Sequence, residues 1–184
     1  MRRSFFPALV LLAACRTAGT DAGSSVVFLE YQALVPPSFV ARPATSSMRL
    51  AEFDVPRSDE THAEVIVYYF GEGQGGSADA NIARWSTQFS APDGGHVTPH
   101  VMDVSGTAFT TTLAEFEGAY ARGVGLGAGS GDAEPDQALV AAVVETPRGN
   151  LFLQLFGDRV AVEDTREDFL HMVTSIEPGQ GPVT

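Results

Sequence analysis

Two apolar segments joined by a short turn constrain the fold of this chain more than any other feature. Residues 137–145 and 151–156 flank a Thr-Pro-Arg-Gly-Asn connection at 146–150. Proline and glycine in so short a connection favour a tight turn, so the pattern predicts a β-hairpin. A hairpin of this kind joins its two strands in antiparallel order.

Strand patterns also occur earlier in the chain. Residues 26–35 are rich in strand-forming residues and end at two prolines, which predicts one strand followed by a turn. Residues 48–55 alternate between apolar residues and acids, as in a half-buried strand whose polar side includes Glu52. The continuous apolar run at 63–70 predicts a central strand covered on both faces. Residues 96–116 predict two strands that meet at a central Ser-Gly pair.

Two segments have helical periodicity. Ser77 is a good N-cap, and an apolar stripe follows it at spacings of four, three and four residues, formed by Ala78, Ile82, Trp85 and Phe89. Asn81 and Arg84 lie off this stripe. The second predicted helix covers about residues 160–175, with acids near its start that favour its dipole, and Pro178 ends it.

These elements predict an α+β fold, in which a mainly antiparallel sheet of about six strands packs with two main helices. We expect one domain at 26–178 and a tail at 179–184. Because Cys15 is the only cysteine, the domain has no disulfide and packing must stabilise it. The formal net charge of −12 repels phosphate backbones and anionic headgroups, so we predict no binding to nucleic acid.

The first fifteen residues have the layout of a secretory signal peptide. Arg2 and Arg3 precede an apolar run at 5–12, and Leu-Ala-Ala-Cys follows at 12–15. About ten apolar residues are too few to span a bilayer, which needs roughly 20. The Leu-Ala-Ala-Cys ending resembles the lipobox of bacterial lipoproteins, and that resemblance implies cleavage before Cys15 and attachment of acyl chains to it.

We therefore expect a signal peptide at 1–14, a lipidated Cys15, and a flexible tether from there to residue 25. Acyl chains would hold the domain at a membrane of the cell envelope, facing the periplasm or the exterior. Arg16 follows the cysteine, and the absence of aspartate at this position favours the outer membrane over the inner, by resemblance to enterobacterial sorting.

Four sequence blocks resemble a group of uncharacterised bacterial lipoproteins. They are Ser-Ser-Met-Arg-Leu-Ala at 46–51, Tyr-Phe-Gly at 69–71, Asn-Ile-Ala-Arg-Trp at 81–85 and Val-Glu-Thr-Pro at 144–147. The order of elements is also similar to the α/β/α fold shared by PsbP, the extrinsic protein of photosystem II, and a nuclear import factor that binds the GTPase Ran. This resemblance implies a protein that binds or helps to assemble partner proteins and is not an enzyme.

The helix that begins after Ser77 carries the strongest candidate binding residues. Asn81, Arg84 and Trp85 lie about one helical turn apart and could form a recognition face, together with Tyr68 on the preceding strand. Alternatively, Trp85 belongs to the core and Arg84 pairs with an acid of the sheet. The loop at 71–76 contains a G-x-G-x-x-G pattern, which could bind an anion or form a tight strand-to-helix turn.

Two groups of residues are weaker candidates for metal binding. His96, His100 and Asp103 have the chemistry of zinc ligands, but in a strand the two histidines would lie about 13 Å apart. Alternate acids at Asp132, Glu134 and Asp136 could bind calcium or form a solvated acidic loop. The glycine-rich segment around them, 121–136, is predicted to be mobile, either as a binding lid or through disorder.

No pattern for nucleophilic catalysis is present, because Cys15 is assigned to lipid and the chain lacks a G-x-S-x-G motif. We therefore predict no catalytic residue and no cofactor. The favoured function is a non-catalytic, membrane-anchored envelope lipoprotein that binds a partner protein or a small ligand. The alternatives are a zinc hydrolase built on His96, His100 and Asp103, and a calcium-responsive binding module.

Overall fold

The computed structural model describes residues 23–121 and 133–179, which contain two helices and eleven strands. The first strands are β1 (Ser24–Phe28), β2 (Tyr31–Val35), β3 (Val40–Arg42), β4 (Arg49–Val55) and β5 (Ala63–Tyr69). They are followed by α1 (Ala78–Ser86), β6 (Phe89–Ser90), β7 (His100–Asp103) and β8 (Thr110–Tyr120). The last elements are β9 (Glu134–Thr146), β10 (Gly149–Asp158), α2 (Arg159–Thr174) and β11 (Glu177–Pro178).

Eight strands form one large sheet in the order β3-β4-β5-β10-β9-β8-β6, with β7 also paired to β8. The strands β1, β2 and β11 form a separate three-stranded sheet. All pairs between these strands are antiparallel. The predicted α+β class is confirmed. The described strands outnumber the expected six because β3, β6 and β11 have only two or three residues each, too few to form a sequence pattern.

The predicted hairpin is formed by β9 and β10. Its register runs without interruption from the pair Thr146 and Gly149 to the pair Gln137 and Asp158. The turn between the strands consists of Pro147 and Arg148, and Gly149 follows with φ of +107°. This backbone conformation favours glycine, which explains the residue at that position.

The two helices pack on opposite faces of the large sheet, so the architecture is α/β/α. On one face, α2 and the small sheet cover the apolar side chains of β5, β9 and β10, with Phe169 and Met172 fully buried. On the other face, α1 packs on β8, where Trp85 contacts Phe116 edge-on at a centroid distance of 6.4 Å. This distance is within the range of about 4.5–7 Å that is typical of aromatic pairs.

The prediction of a single strand at 26–35 is wrong, because this segment is the hairpin of β1 and β2. Leu29 and Glu30 form its turn, and Leu29 adopts a positive φ of 55°. Neither residue is typical of a turn that needs positive φ, so the sequence carried no signal for the reversal. The hairpin is stabilised by packing, since Phe28 and Tyr31 on either side of the turn are both buried.

The strand covered on both faces along most of its length is β9, whose residues 137–144 are all buried. β5 was predicted to have this role. Its residues Ala63, Val65 and Val67 are fully buried under α2, but Glu64 and Tyr68 on the opposite side are only half-buried. The reason is that α1 has nine residues and packs on β8, so it leaves part of β5 and β10 uncovered.

The helix predictions hold with three corrections. Ser77 caps α1 as expected, and its side chain accepts a hydrogen bond from the amide of Ala80. Phe89 lies beyond the helix in β6, and Asn81, predicted off the apolar stripe, is buried. No acid lies in the first turn of α2, which begins at Arg159 and ends at Thr174, well before Pro178.

Candidate functional site

The uncovered part of the sheet beside α1 forms a groove. It consists of two adjoining cavities of about 230 and 200 Å³, which share Tyr68, Gln88, Tyr120 and Gln154. Arg49 lies at the end of one cavity and Arg84 at the end of the other. We call this surface the α1 groove and define it by these six residues and by the aromatic floor described next.

The floor of the α1 groove is aromatic. Tyr68 and Phe70 lie nearly parallel at a centroid distance of 6.1 Å, and Phe156 contacts Tyr120 at 4.6 Å. Phe70 also meets Phe152, which belongs to the core under α1. Because these rings pack against the core under α1, they are held in place and form a firm apolar surface.

Arg84 is oriented by two neighbours on its own helix. Its Nη2 donates a hydrogen bond of 2.7 Å to Oδ1 of Asn81, and its guanidinium carbon lies 5.9 Å from the ring centroid of Trp85. Asn81 is only 3% exposed. An arginine held by a buried amide and an indole ring has a defined direction before any ligand arrives.

Asn81 also fixes the glycine loop between β5 and α1. Its Nδ2 donates hydrogen bonds of 2.7 and 2.9 Å to the carbonyl oxygens of Gly75 and Ser77. Asn150 in β10 donates to the carbonyl oxygen of Gly76 at 3.0 Å. These contacts are those of a strand-to-helix turn, one of the two interpretations of the G-x-G-x-x-G pattern.

In the other cavity of the α1 groove, Arg49 lies over the ring of Tyr68, with its guanidinium carbon 5.5 Å from the ring centroid. Its Nη1 donates to Oε2 of Glu52 at 3.1 Å. Arg42 in β3 binds the same carboxylate, and it also pairs with Asp54 and Glu64. The charge of Arg49 is therefore compensated within the protein.

Glu52 is the buried centre of this ion-pair cluster, with an exposed fraction of 1%. Its Oε1 accepts hydrogen bonds from the backbone amide and the hydroxyl of Thr45, at 2.6 and 2.7 Å. Burial raises the pKa of this carboxyl, but the bonds from Thr45 and the charge of Arg49 outweigh it and lower the pKa to about 2. The half-buried strand pattern did not reveal this role for Glu52.

The structure does not assemble the proposed zinc ligands. The side chain of His100 is 68% exposed, and its Nδ1 lies 3.7 Å from Oε2 of Glu115. Asp103 lies three residues away on the same strand and therefore faces the other side of the sheet. Within residues 23–121 and 133–179, His96 and these residues form no group of three ligands that could hold a metal.

The proposed calcium site lies only partly within the described residues. Asp132 is outside them, as is most of the glycine-rich segment. Glu134 and Asp136 belong to β9, and Oδ1 of Asp136 accepts a bond of 2.8 Å from Nε of Arg159. The carboxylate of Asp136 is thus already paired with a cation.

Of the predicted binding residues, the structure brings Tyr68 and Arg84 together in the α1 groove, with Trp85 and Asn81 supporting them from below. Sequence reasoning missed Arg49, Gln88, Tyr120 and Gln154 as groove residues. The available signal was the polar side of β5 and β10: Tyr68 and Gln154 interrupt otherwise apolar strands, on the face that α1 leaves open.

Solved structures of low sequence identity share this fold, which is the PsbP-like α+β fold. The cyanobacterial PsbP (CyanoP) of Synechocystis matches with a TM-score of 0.53 and 12% identity, over 91% of this chain and 98% of that chain. LpqN of Mycobacterium tuberculosis, described as involved in cell envelope biogenesis, matches with a TM-score of 0.50 and 12% identity, over 87% and 88%.

No protein-family model matches the sequence, and a search of the curated proteins found no significant relative. At 12% identity, the likeness to CyanoP and LpqN establishes the fold alone. In the segments that the structure describes, no helix has the length and apolar character needed to cross a bilayer.

Proposed function

We propose that this protein is a non-catalytic binding protein of the bacterial cell envelope, anchored through acyl chains on Cys15, and that it binds its partner or ligand in the α1 groove. The observation that carries the proposal is the groove itself. It combines a firm aromatic floor with an oriented arginine, on the part of the sheet face that α1 leaves uncovered. Concave surfaces with a few placed polar groups are typical of binding sites.

The proposal assigns no catalytic role to the histidines. All four histidines, His62, His96, His100 and His171, lie in the described segments, and none of their rings forms a hydrogen bond with a hydroxyl group there. A serine or threonine nucleophile needs such a base within reach. The described residues also lack a cluster of metal ligands.

The envelope location is supported by the sequence around Cys15 and by the nature of one structural neighbour. The lipobox predicts export and lipid attachment. LpqN, which shares this fold, is involved in cell envelope biogenesis in Mycobacterium tuberculosis. Strand β1 begins at Ser24, so the eight residues 16–23 would separate the lipidated Cys15 from the domain and keep the groove near the membrane surface.

Site-specific photo-crosslinking in the native host tests this proposal. A photo-crosslinking amino acid in place of Gln88 lies inside the α1 groove, whereas the same amino acid in place of Glu167 lies on the exposed side of α2, across the sheet. We expect irradiation of cells to give a product of defined mass from position 88 and none from position 167. Equal products from both positions, or none from position 88, would refute the groove as the binding surface.

A further inference from the structure

We propose that the α1 groove recognises the carboxyl-terminal end of a polypeptide, with Arg84 binding the terminal carboxylate and the aromatic floor receiving the last, apolar side chain. This inference rests on the proposed function, because it names the ligand class of the same groove.

The first step of the argument is the charge of Arg84. Seven arginines lie in the described segments, and six of them pair with an acid: Arg42, Arg49, Arg57, Arg148, Arg159 and Arg166. Arg84 is the exception within those segments, although the chain has 23 acids. Its partner is the neutral amide of Asn81, so one positive charge at the groove is left for an anion.

The second step is the nature of the anion. A guanidinium presents two parallel N–H groups that match the two oxygens of a carboxylate. A single uncompensated charge also suits a single negative charge better than a doubly charged phosphate. The other groove arginine, Arg49, does not add to the site's charge because Glu52 already neutralises it.

The third step is the chemistry of Gln88 and Gln154, which form the walls of the α1 groove. Gln88 and Gln154 are half-buried, and their side-chain amides form no hydrogen bond with any residue that the structure describes. Each amide carries a donor and an acceptor, as a peptide unit does. An alkyl chain would leave both amides unpaired, whereas the main chain of a peptide can satisfy them. The walls therefore favour a peptide over a fatty acid.

The fourth step is the floor. Tyr68 and Phe70 present a continuous apolar surface that ends at the hollow beside Arg84. An apolar or aromatic last residue would cover these rings while its carboxylate meets the guanidinium. Burial of that side chain adds affinity that a free acetate ion lacks.

Titration of the full lipoprotein in nanodiscs tests this inference, with binding measured by calorimetry and by the fluorescence of Trp85, the only tryptophan. The probes are N-acetyl-Ala-Phe with a free carboxylate, the same dipeptide with a carboxyl-terminal amide, and decanoate. We expect the free acid to bind saturably and the amide to bind at least about tenfold more weakly, since a charge-assisted contact is lost. Decanoate is expected to bind more weakly than the free acid.

Two substitutions of Arg84 test whether this residue binds the terminal carboxylate. Arg84→Gln should weaken binding of the free acid by at least about tenfold, and Arg84→Lys should weaken it less because the charge remains. Arg148→Gln removes an exposed arginine of the β9–β10 turn and should leave binding unchanged. Absence of saturable binding by the free acid, equal affinity for acid and amide, tighter binding of decanoate, or equal effects of the Arg84 and Arg148 variants would each overturn the inference.

The proposed function can survive that result. Cross-linking from position 88 without dependence on a carboxylate would leave the groove as a binding surface and reject only the peptide terminus. Loss of cross-linking from position 88 would reject both.

Discussion

Replacing the buried Glu52 by glutamine (Glu52→Gln) is expected to lower the free energy of unfolding by about 3 kcal/mol at pH 7, because it breaks a buried ion pair while its partners stay in place. Glutamine keeps the shape of the side chain but cannot neutralise Arg49 and Arg42, which share the carboxylate. The glutamine oxygen can still accept both Thr45 bonds, but its NH2 group then faces the guanidinium groups of Arg42 and Arg49, donor against donor. Denaturant unfolding followed by Trp85 fluorescence measures the loss.

The stabilisation that Glu52 provides should decrease as the pH falls. Its pKa in the folded protein is about 2, below its ordinary value of 4.5, so the unfolded chain takes up the proton first as the pH falls. The stabilisation is fully present above pH 4.5 and is lost as the pH approaches 2. We therefore expect the difference between wild type and Glu52→Gln at pH 3 to be less than half of that at pH 7.

Asp54→Asn is the matched control, because Asp54 lies on the same strand, has the same charge and binds the same Arg42. Its side chain is 48% exposed, so the loss should be about 1 kcal/mol or less. Equal losses for the two variants, or a Glu52→Gln effect that does not shrink at low pH, would show that Glu52 is not the buried centre of the cluster.

Asn81→Asp is expected to lower the free energy of unfolding by about 3 kcal/mol, since it places a carboxylate at a buried position, facing carbonyl oxygens to which the Asn81 amide now donates. Nδ2 of Asn81 donates to the carbonyl oxygens of Gly75 and Ser77, and an aspartate oxygen at that position would face both of them without a proton to share. Urea unfolding measures the change. An oxygen of the new aspartate can still accept the hydrogen bond from Arg84, so the expected loss comes from the contacts with the glycine loop.

Asn150→Asp provides the control for this variant. Asn150 makes the same kind of bond to the same loop, through Gly76, but its contact is exposed to water. Its loss should therefore be about 1 kcal/mol or less. A comparable loss for both asparagines would mean that burial of Asn81 is not what makes its bonds important.

Much of the fold could be predicted because local signals agreed with the final packing. Pro147 and Gly149 mark the β9–β10 turn, and Ser77 followed by an apolar stripe marks the start of α1. Gly149 adopts the positive φ that the chain needs after the turn, and Ser77 accepts the hydrogen bond that caps the helix. The local signal and the final structure therefore agree at both positions. The antiparallel arrangement follows directly from such hairpins.

The β1–β2 hairpin and the groove could not be predicted in the same way. Leu29 turns the chain because Phe28 and Tyr31, which flank the turn in the small sheet, are both buried in the core, and such tertiary packing leaves no local pattern. The groove exists because α1 covers β8 and leaves part of β5 open. Helix position on a sheet is a property of the assembled fold. Tyr68 and Gln154 interrupt apolar strands, but no local pattern indicated that they would meet Tyr120 in one groove.

Hydroxyl-radical footprinting of the anchored protein tests most directly whether the α1 groove is the binding surface. Tyr68 and Tyr69 are adjacent in β5 and point to opposite faces of the sheet, Tyr68 into the groove and Tyr69 toward the core under α2. In native membranes, compared with the purified protein, we expect oxidation of Tyr68 to fall several-fold and that of Tyr69 to stay the same. Unchanged oxidation of Tyr68, or protection of Tyr69 instead, would contradict the account.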